Sequence, residues 1–351
     1  MKKVIFLILT ILGISALIFI YNDDFLYSKD IIKVTSIKEI DRYEEYNDLE
    51  LKEVYKVQEI TGTYTNHNIG ETKTIKYEES YSSVVTDRFR VGDKIIIDKT
   101  GSLELKRDFY VALLIVVFVV AIYLVGEFSG LLSVVTVLLN IIIFILGLDF
   151  YFRGINILFM CVIESIIFST SSLFIAGGIN KKTVSAVLSV FASTLIILVM
   201  TLLVSHITKY EGINFNDLSF LTIPPEDIII PELLIGSLGA IMDVAITISS
   251  SIKELIDKDK KISNKSLMKS SKEIGKDIMT TMSNVLFFTY LCGGLPLFVL
   301  AIRNGFSVSN YINTNFSLEI TRFLVGSIGI ILTIPVATYI SINIFRRDRH
   351  E

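Results

Sequence analysis

Long uninterrupted runs of apolar residues constrain this chain more than any other feature. Several of them exceed the ~18 residues that mark a helix able to cross a bilayer, and 52% of the 351 residues are hydrophobic. A water-soluble domain disperses its apolar residues and usually carries more charge than the 20% found here. The sequence therefore excludes a soluble enzyme, a disordered protein and, with its net charge of −3, a nucleic-acid-binding protein. We predict an α-helical polytopic membrane protein whose main partner is the lipid bilayer.

The positions of these runs predict eight membrane-spanning helices. The first covers residues 4–21, follows two lysines and lacks the small-residue cleavage pattern of a signal peptide. We therefore expect residues 1–21 to be an uncleaved signal anchor, with a cleaved signal peptide as the alternative. The other seven spans form a predicted bundle over residues 108–351, at positions 109–126, 130–149, 154–177, 183–206, 228–251, 284–303 and 319–343.

The distribution of basic residues predicts how these spans are oriented. If the N-terminus is cytoplasmic, the cytoplasmic segments carry fifteen lysines and arginines, and the short outer loops carry four. Because cytoplasmic loops are enriched in Lys and Arg, we expect a cell-membrane protein with both termini in the cytoplasm. Eight of the lysines lie in a cytoplasmic connector, residues 252–283. Its mixture of lysines and apolar residues is typical of a helix on the inner membrane surface, and a solvated helix between two spans explains it equally well.

Residues 22–107 differ in composition from the rest of the chain. They contain 18 acidic and 14 basic residues, no proline, and many of the Val, Ile, Thr and Tyr residues that favour strands. Residues 32–35 alternate with period two, and residues 92–93 predict the turn of a hairpin between residues 89–91 and 94–97. We predict a small extracytoplasmic β-rich domain, a barrel or a sandwich, which would contact a protein partner or a substrate.

The sequence contains no catalytic or metal-binding motif. Gly-rich phosphate loops, HExxH and GxSxG are absent, and the three histidines are far apart. Cys161 and Cys292 lie in separate apolar runs without metal-ligand spacing. We therefore expect no enzymatic activity, no catalytic residue, no cofactor and no metal site.

Polar residues inside the predicted spans are the candidates for function. An ionisable group near the bilayer centre costs about 3 kcal/mol, so it usually faces protein or water. Asp243 lies in the sixth span, and Thr247, Ser250 and Glu254 follow it at helical spacing on one face. We interpret Asp243 as a coupling or substrate-path residue on a polar path toward the cytoplasm. The alternative is a hydrogen bond that holds two helices together, which a neutral amide or hydroxyl would provide at lower desolvation cost.

Three further candidates lie in other spans. Thr281 and Asn284 begin the seventh span on a similar polar face, and helix-to-helix hydrogen bonding explains them as well as function does. Glu164 lies in the middle of the fourth span, where the same two interpretations apply.

Two segments resemble each other at an offset of 90 residues. Both have the form Gly-Ser-x-Gly followed by apolar residues, and they begin at Gly236 and Gly326. Both spans are predicted to run toward the cytoplasm, so a duplication would be of the parallel type. Chance matching of small apolar residues is the alternative.

The order of these features resembles a known family. The matching segments are VGDK at 91–94, NKKT at 180–183, GSLGAIMDVAITISSS at 236–251, TMSN at 281–284 and GSIGIILTIP at 326–335. Together with the anchor and the β-rich domain, they look like the YibE/F-like multi-pass membrane proteins over most of residues 90–345. The resemblance implies a membrane protein of the permease type and implies no established activity.

A second similarity concerns architecture alone. An Asp-bearing inward helix, an amphipathic connector, a Thr/Ser/Asn-rich outward helix and a Gly-rich last helix are similar to the second half of SecD/SecF-type export modules. Such modules carry an arginine in the acidic helix, whereas residues 230–270 contain none, and this chain has two additional spans. We hypothesise a transporter, permease or export component. The alternative is a non-transporting scaffold or assembly factor that acts through its extracytoplasmic domain, and the sequence leaves homo-oligomer formation open.

Overall fold

The computed structural model describes residues 2–46, 52–81, 86–98, 101–211, 213, 215, 223–303, 305–314 and 316–347. The chain forms two compact units, residues 1–131 and 132–351. The first unit contains helix α1 (Lys2–Tyr21), a β-sheet and the first part of helix α2 (Asp108–Phe152). The second unit contains the rest of α2 and the helices that follow it.

The sheet of the first unit is antiparallel throughout. Its strands are β1 (Asp30–Tyr46), β2 (Lys52–Tyr64), β3 (Thr72–Ser80), β4 (Lys94–Ile97) and β5 (Leu103–Leu105), and they lie in the order β3-β2-β1-β4-β5. Successive side chains of a strand point to opposite faces, and the apolar ones gather on one face. The buried members of this core are Ile32, Val34, Ile60, Phe89, Ile95 and Ile97.

The hairpin predicted around residues 92–93 is wrong. Residues 94–97 do form β4, but residues 89–91 are irregular, and the ring of Phe89 enters the core beside Tyr77. β4 pairs with β1 on one side and with β5 on the other. Because both edges of β4 are occupied, no edge remains for residues 89–91.

The expectation of a barrel or a sandwich is also wrong within the described residues, because these form one open sheet with one core. β3 and β5 each pair with a single strand. β1 and β2 are 17 and 13 residues long, and their register shifts between Val34 and Ser36 and between Glu39 and Asp41. Such bulges increase the twist of a hairpin.

A buried cluster of charges joins the sheet to the ends of α1 and α2. Lys106 Nζ lies 2.5 Å from Asp23 Oδ1 and 2.7 Å from Asp24 Oδ1, and Lys94 Nζ lies 2.6 Å from the other Asp24 oxygen. Burial alone would raise the pKa of Asp24, but the two ammonium groups outweigh it and hold that pKa below its usual range. The second and third residues after α1, Asp23 and Asp24, are therefore fixed to the chain segment that enters α2.

Seven helices of the described chain are long and apolar enough to cross a membrane. They are α1, α2, α3 (Ile157–Gly177), α4 (Lys181–Thr208), α5 (Pro225–Lys258), α6 (Asn264–Arg303) and α8 (Ser317–Arg347), and the short α7 (Val308–Thr314) precedes α8. The sequence predicted eight spans, because it treated residues 109–126 and 130–149 as separate helices. In the structure both belong to α2.

Helix α2 is interrupted within its length. At Glu127 the backbone leaves the helical region, with φ 50° and ψ −131°. Three residues later Gly130 passes so close to the preceding turn that an added Cβ would lie 2.5 Å from the Ile122 carbonyl oxygen. At 1.5 Å per residue, 45 residues would extend about 67 Å, more than twice the ~30 Å hydrocarbon core.

The connector at 252–283 is a packed helical hairpin rather than a separate segment. α5 continues through it to Lys258, and α6 already begins at Asn264. Ile256 and Leu267 are buried in the same apolar cluster as Phe345 of α8. Most of the connector lysines remain exposed. The hairpin therefore has a buried apolar face and an exposed basic face.

Helices α5 and α8 pack side by side and run in the same direction. Near their N-terminal ends Arg322 binds Glu232 at 2.8 Å, and near their C-terminal ends the Ser341 hydroxyl lies 3.0 Å from the Ser249 hydroxyl. The two segments with similar sequence lie between these contacts. Their common direction agrees with the parallel arrangement expected from the sequence.

Candidate functional site

Helix α5 has one face buried in the bundle. Pro225 at its first position and the acidic residues after it favour the start of a helix at this point. Its buried side chains recur at helical spacing and pack against α3, α4, α6 and α8. Among them, Ile241, Val244, Ile248 and Ile252 are fully buried. The opposite face is left for polar residues.

The four polar residues predicted on α5 lie along this opposite face. Asp243, Thr247 and Glu254 are exposed, and Ser250 is half-buried. The helical rise of 1.5 Å per residue places Glu254 about 16 Å from Asp243 along the axis. Gly239 continues the face in the other direction, and a Cβ added there would meet nothing within 4 Å. We call the face from Gly239 to Glu254 the polar stripe of α5.

The Asp243 carboxylate has no hydrogen-bond or ion-pair partner in the part of the chain that the structure describes. The Thr247 hydroxyl donates to the backbone carbonyl oxygen of Asp243 at 2.7 Å, within α5, and not to the carboxylate. A carboxylate that held two helices together would accept a hydrogen bond from another helix. No described residue supplies that donor.

Helix α6 presents the candidates Thr281 and Asn284, and both are exposed. The Thr281 hydroxyl donates to a backbone carbonyl of its own helix at 3.1 Å. α6 approaches α5 at Gly236, where an added Cβ would lie 2.6 Å from the hydroxyl oxygen of Tyr290. The helices are therefore neighbours, but within the described chain no hydrogen bond joins Asn284 to Asp243.

Glu254, at the C-terminal end of the polar stripe, has a partner. Its carboxylate lies 2.6 Å from Lys258 Nζ, one helical turn further on, and both side chains are exposed. Exposed pairs of this spacing stabilise a helix only weakly, because water screens the two charges. The pair therefore contributes little to folding and leaves a charged end on the stripe.

Glu164 lies apart from the polar stripe, between α3 and α2. It is 3% exposed, and neither carboxyl oxygen has a hydrogen-bond partner among the described residues. Gly147 of α2 faces it so closely that an added Cβ would lie 1.6 Å from Oε1. A cleft of about 380 Å³ adjoins the carboxyl group, and Asp243 is not among its lining residues. Glu164 and Asp243 thus lie at different places in the fold.

Three serines that the sequence interpretation did not select join α4, α5 and α8. Ser185, Ser249 and Ser341 are fully buried, with hydroxyl oxygens 2.8–3.4 Å apart. Such small side chains let membrane helices approach closely while each hydroxyl keeps a partner. The sequence pattern that could have indicated them is on α4, where Ser185, Ser189 and Ser193 recur every fourth residue. Which helices they would join depends on the fold.

The long apolar helices and the separate N-terminal sheet together indicate a multi-pass membrane protein with an N-terminal β-domain. Residues 114–347 match the sequence model of the YibE/F-like protein family, and residues 25–107 match the YibE/F family N-terminal domain. The chain belongs to the YibE/F-like family, which confirms the resemblance found in its sequence. No curated protein and no solved structure matches the chain.

Proposed function

We propose that the chain is a transporter or export component and that the polar stripe of α5 lines the path of an ion or a solute. The observation that carries the proposal is the position of Asp243, which is exposed and lacks a partner among the described residues. A charged group at the bilayer centre costs about 3 kcal/mol on insertion scales. Since Asp243 makes no stabilising contact in return, we assign it to binding or coupling.

The rest of the stripe supports this assignment. Thr247, Ser250 and Glu254 follow Asp243 at intervals of about one turn, so polar groups continue over about 16 Å toward the C-terminal end of α5. Lipid tails offer these groups no hydrogen bonds. Water along the stripe would hydrogen-bond to these groups. It would also let Asp243 exchange a proton or an ion with the cytoplasm.

The proposed topology has eight crossings in the cell membrane. The break at Glu127 divides α2 into residues 108–126 and 128–152, and each part is long enough to cross the ~30 Å hydrocarbon core. With both termini in the cytoplasm, most basic residues of the helical part lie on the cytoplasmic side. The β-sheet then lies outside, where it would contact substrate or a partner.

One observation favours the alternative function, a scaffold or assembly factor. From Thr35 to Tyr43, β1 has no strand on its β4 side among the described residues. An unpaired edge can accept a strand from another protein. In that case the helices anchor the sheet, and the protein moves no solute.

Ion flux in reconstituted vesicles tests the two functions against each other. The full chain is placed in phospholipid vesicles, and proton uptake is followed with an internal pH-sensitive dye under an imposed membrane potential. Na⁺ uptake is measured in parallel. We expect flux above protein-free vesicles for the wild type and flux near the protein-free level for Asp243→Asn, which keeps the size of the side chain.

Asp227→Asn is the matched control. It removes one carboxylate from the same helix, and Asp227 lies at the exposed start of α5, about 24 Å from Asp243. This variant should retain wild-type flux. Undiminished flux in Asp243→Asn would remove Asp243 from the path. A wild type that moves neither ion nor any tested solute would favour the scaffold.

A further inference from the structure

The second unit contains a cleft between α2 and α3 that the proposed transport path does not use. Its volume of about 380 Å³ is in the range of small-molecule sites, roughly 300–1,000 Å³. The walls are almost entirely apolar. The side chains that form them include Ile143, Leu146, Phe150, Phe159, Ile163 and Ile167.

The cleft has one polar group at its wall. Of the described residues that line it, Glu164 alone has a polar side chain. The residue is 97% buried, since only 3% of it is exposed, and both carboxyl oxygens lack a hydrogen-bond partner among the described residues. A buried carboxyl group without a donor is costly, by several kcal/mol if it is charged. Packing alone does not account for a glutamate here.

The polar side chains of α2 and α3 that precede or follow Glu164 hydrogen-bond to other groups. Asn140 Nδ2 donates to the Ser172 hydroxyl at 2.9 Å, and the Ser171 hydroxyl donates to Asn140 Oδ1 at 3.2 Å. Ser165, the residue directly after Glu164, donates its hydroxyl to a backbone carbonyl of α3 at 2.7 Å. None of these groups donates to Glu164.

Glycine at position 147 is what makes room for the carboxyl group. An added Cβ would lie 1.6 Å from Glu164 Oε1 and 2.6 Å from Cδ, so any other residue would displace the carboxyl group. The helix pair therefore accommodates a carboxyl group that none of its own donors satisfies.

We propose that this cleft binds an apolar molecule that carries one positively charged amine, and that the amine donates to Glu164. The apolar walls take the hydrocarbon part, and a charge-assisted hydrogen bond satisfies the carboxylate. A neutral hydrocarbon would leave the carboxyl group without a partner, and an anion would be repelled by it. This inference is independent of transport along the polar stripe, since the two places share no residue.

Carbodiimide protection tests the site in the full chain. Dicyclohexylcarbodiimide is apolar; a carboxylic acid adds across its C=N bond, and rearrangement gives an N-acylurea with no leaving group. The chain in phospholipid vesicles is treated at neutral pH, and mass spectrometry of a digest gives the modified fraction of the peptide that contains Glu164. We expect N,N-dimethyldodecylamine, whose protonated form keeps an N–H donor but cannot form an amide with the activated carboxyl group, to slow this modification about tenfold relative to dodecanol at equal concentration, as a charge-assisted hydrogen bond implies.

Two variants are the controls. In Glu164→Gln the same peptide should stay unmodified, and in Asp243→Asn the modification of Glu164 and its protection by N,N-dimethyldodecylamine should equal those of the wild type. Equal protection by the alcohol and the amine would overturn the proposal. So would a wild-type Glu164 that is never modified, because an apolar molecule would then not reach the carboxyl group.

Discussion

Replacing Lys106 by methionine should destabilise the β-domain strongly. The Lys106 side chain is 3% exposed, and its ammonium group contacts both Asp23 and Asp24. Removing one partner of a buried ion pair costs about 3–5 kcal/mol. Asp24 keeps Lys94 at 2.6 Å, and Asp108, which lies 3.4 Å from Lys106, keeps the Tyr27 hydroxyl at 2.9 Å, so the main loss falls on Asp23. We therefore expect Lys106→Met to lower the free energy of unfolding by about 3 kcal/mol, the low end of that range.

Amide hydrogen exchange of the full chain measures this loss. The amides to follow are those of Ile31 and Ile32, which are fully buried in β1 opposite β4. A loss of about 3 kcal/mol corresponds to an exchange rate that rises about 150-fold. Lys29→Met is the matched control, since it breaks the half-exposed pair of Lys29 with Asp98 and should cost less than about 1 kcal/mol. Equal exchange in the two variants would refute the reasoning.

The same cluster sets the pH range in which the domain is stable. Asp24 has a lowered pKa, so its contribution is present above the unfolded value of about 3.9 and is lost as pH falls through the folded value. For Lys106, burial would lower the pKa, but the aspartates outweigh it and raise that pKa, so its contribution is lost only above about pH 10.4. Resistance to protease should be constant between these limits and fall outside them.

Three further predictions concern topology, packing and domain autonomy. A membrane-impermeant thiol reagent applied outside cells should modify Asp41→Cys and not Lys260→Cys; the reverse result would invert the topology. Gly275→Ala should lower the free energy of unfolding by about 1–3 kcal/mol, because the added Cβ would lie 2.6 Å from a methyl group of Ile334. The loss would be measured as a lower thermal denaturation midpoint of the protein in detergent. Gly239→Ala, which meets nothing within 4 Å, should leave the midpoint unchanged or higher. Residues 22–107 expressed alone should give a β-type circular dichroism spectrum with a cooperative melt, and a mainly helical spectrum would contradict this.

The sequence predicted the helices better than their partners. Apolar runs located every long helix, because a membrane-spanning helix satisfies its own backbone groups and needs no other segment. Strand pairing depends on distant segments. The sequence therefore found residues 94–97 as a strand but assigned them the adjacent residues 89–91 as a partner. The actual partner in β1 lies more than 60 residues earlier.

The candidate site was predictable in part for the same reason. Helical periodicity placed Asp243 and Thr247 on one face, since that depends on α5 alone. Whether the face is buried or exposed was not predictable, because lipid tails and a protein interior are equally apolar. The lack of a hydrogen-bond partner for Glu164 was not predictable from the sequence either. It depends on Gly147, which lies on the neighbouring helix.

Water access to the polar stripe tests the central claim most directly. In a chain with both native cysteines replaced by alanine, Thr247→Cys and Leu188→Cys are compared in inside-out vesicles with a hydrophilic maleimide. Leu188 is the control, because it is an exposed apolar residue about two turns from the start of α4. We predict that Thr247→Cys reacts readily and that Leu188→Cys does not. Equal reactivity of the two positions, or none at Thr247→Cys, would contradict an aqueous path along α5.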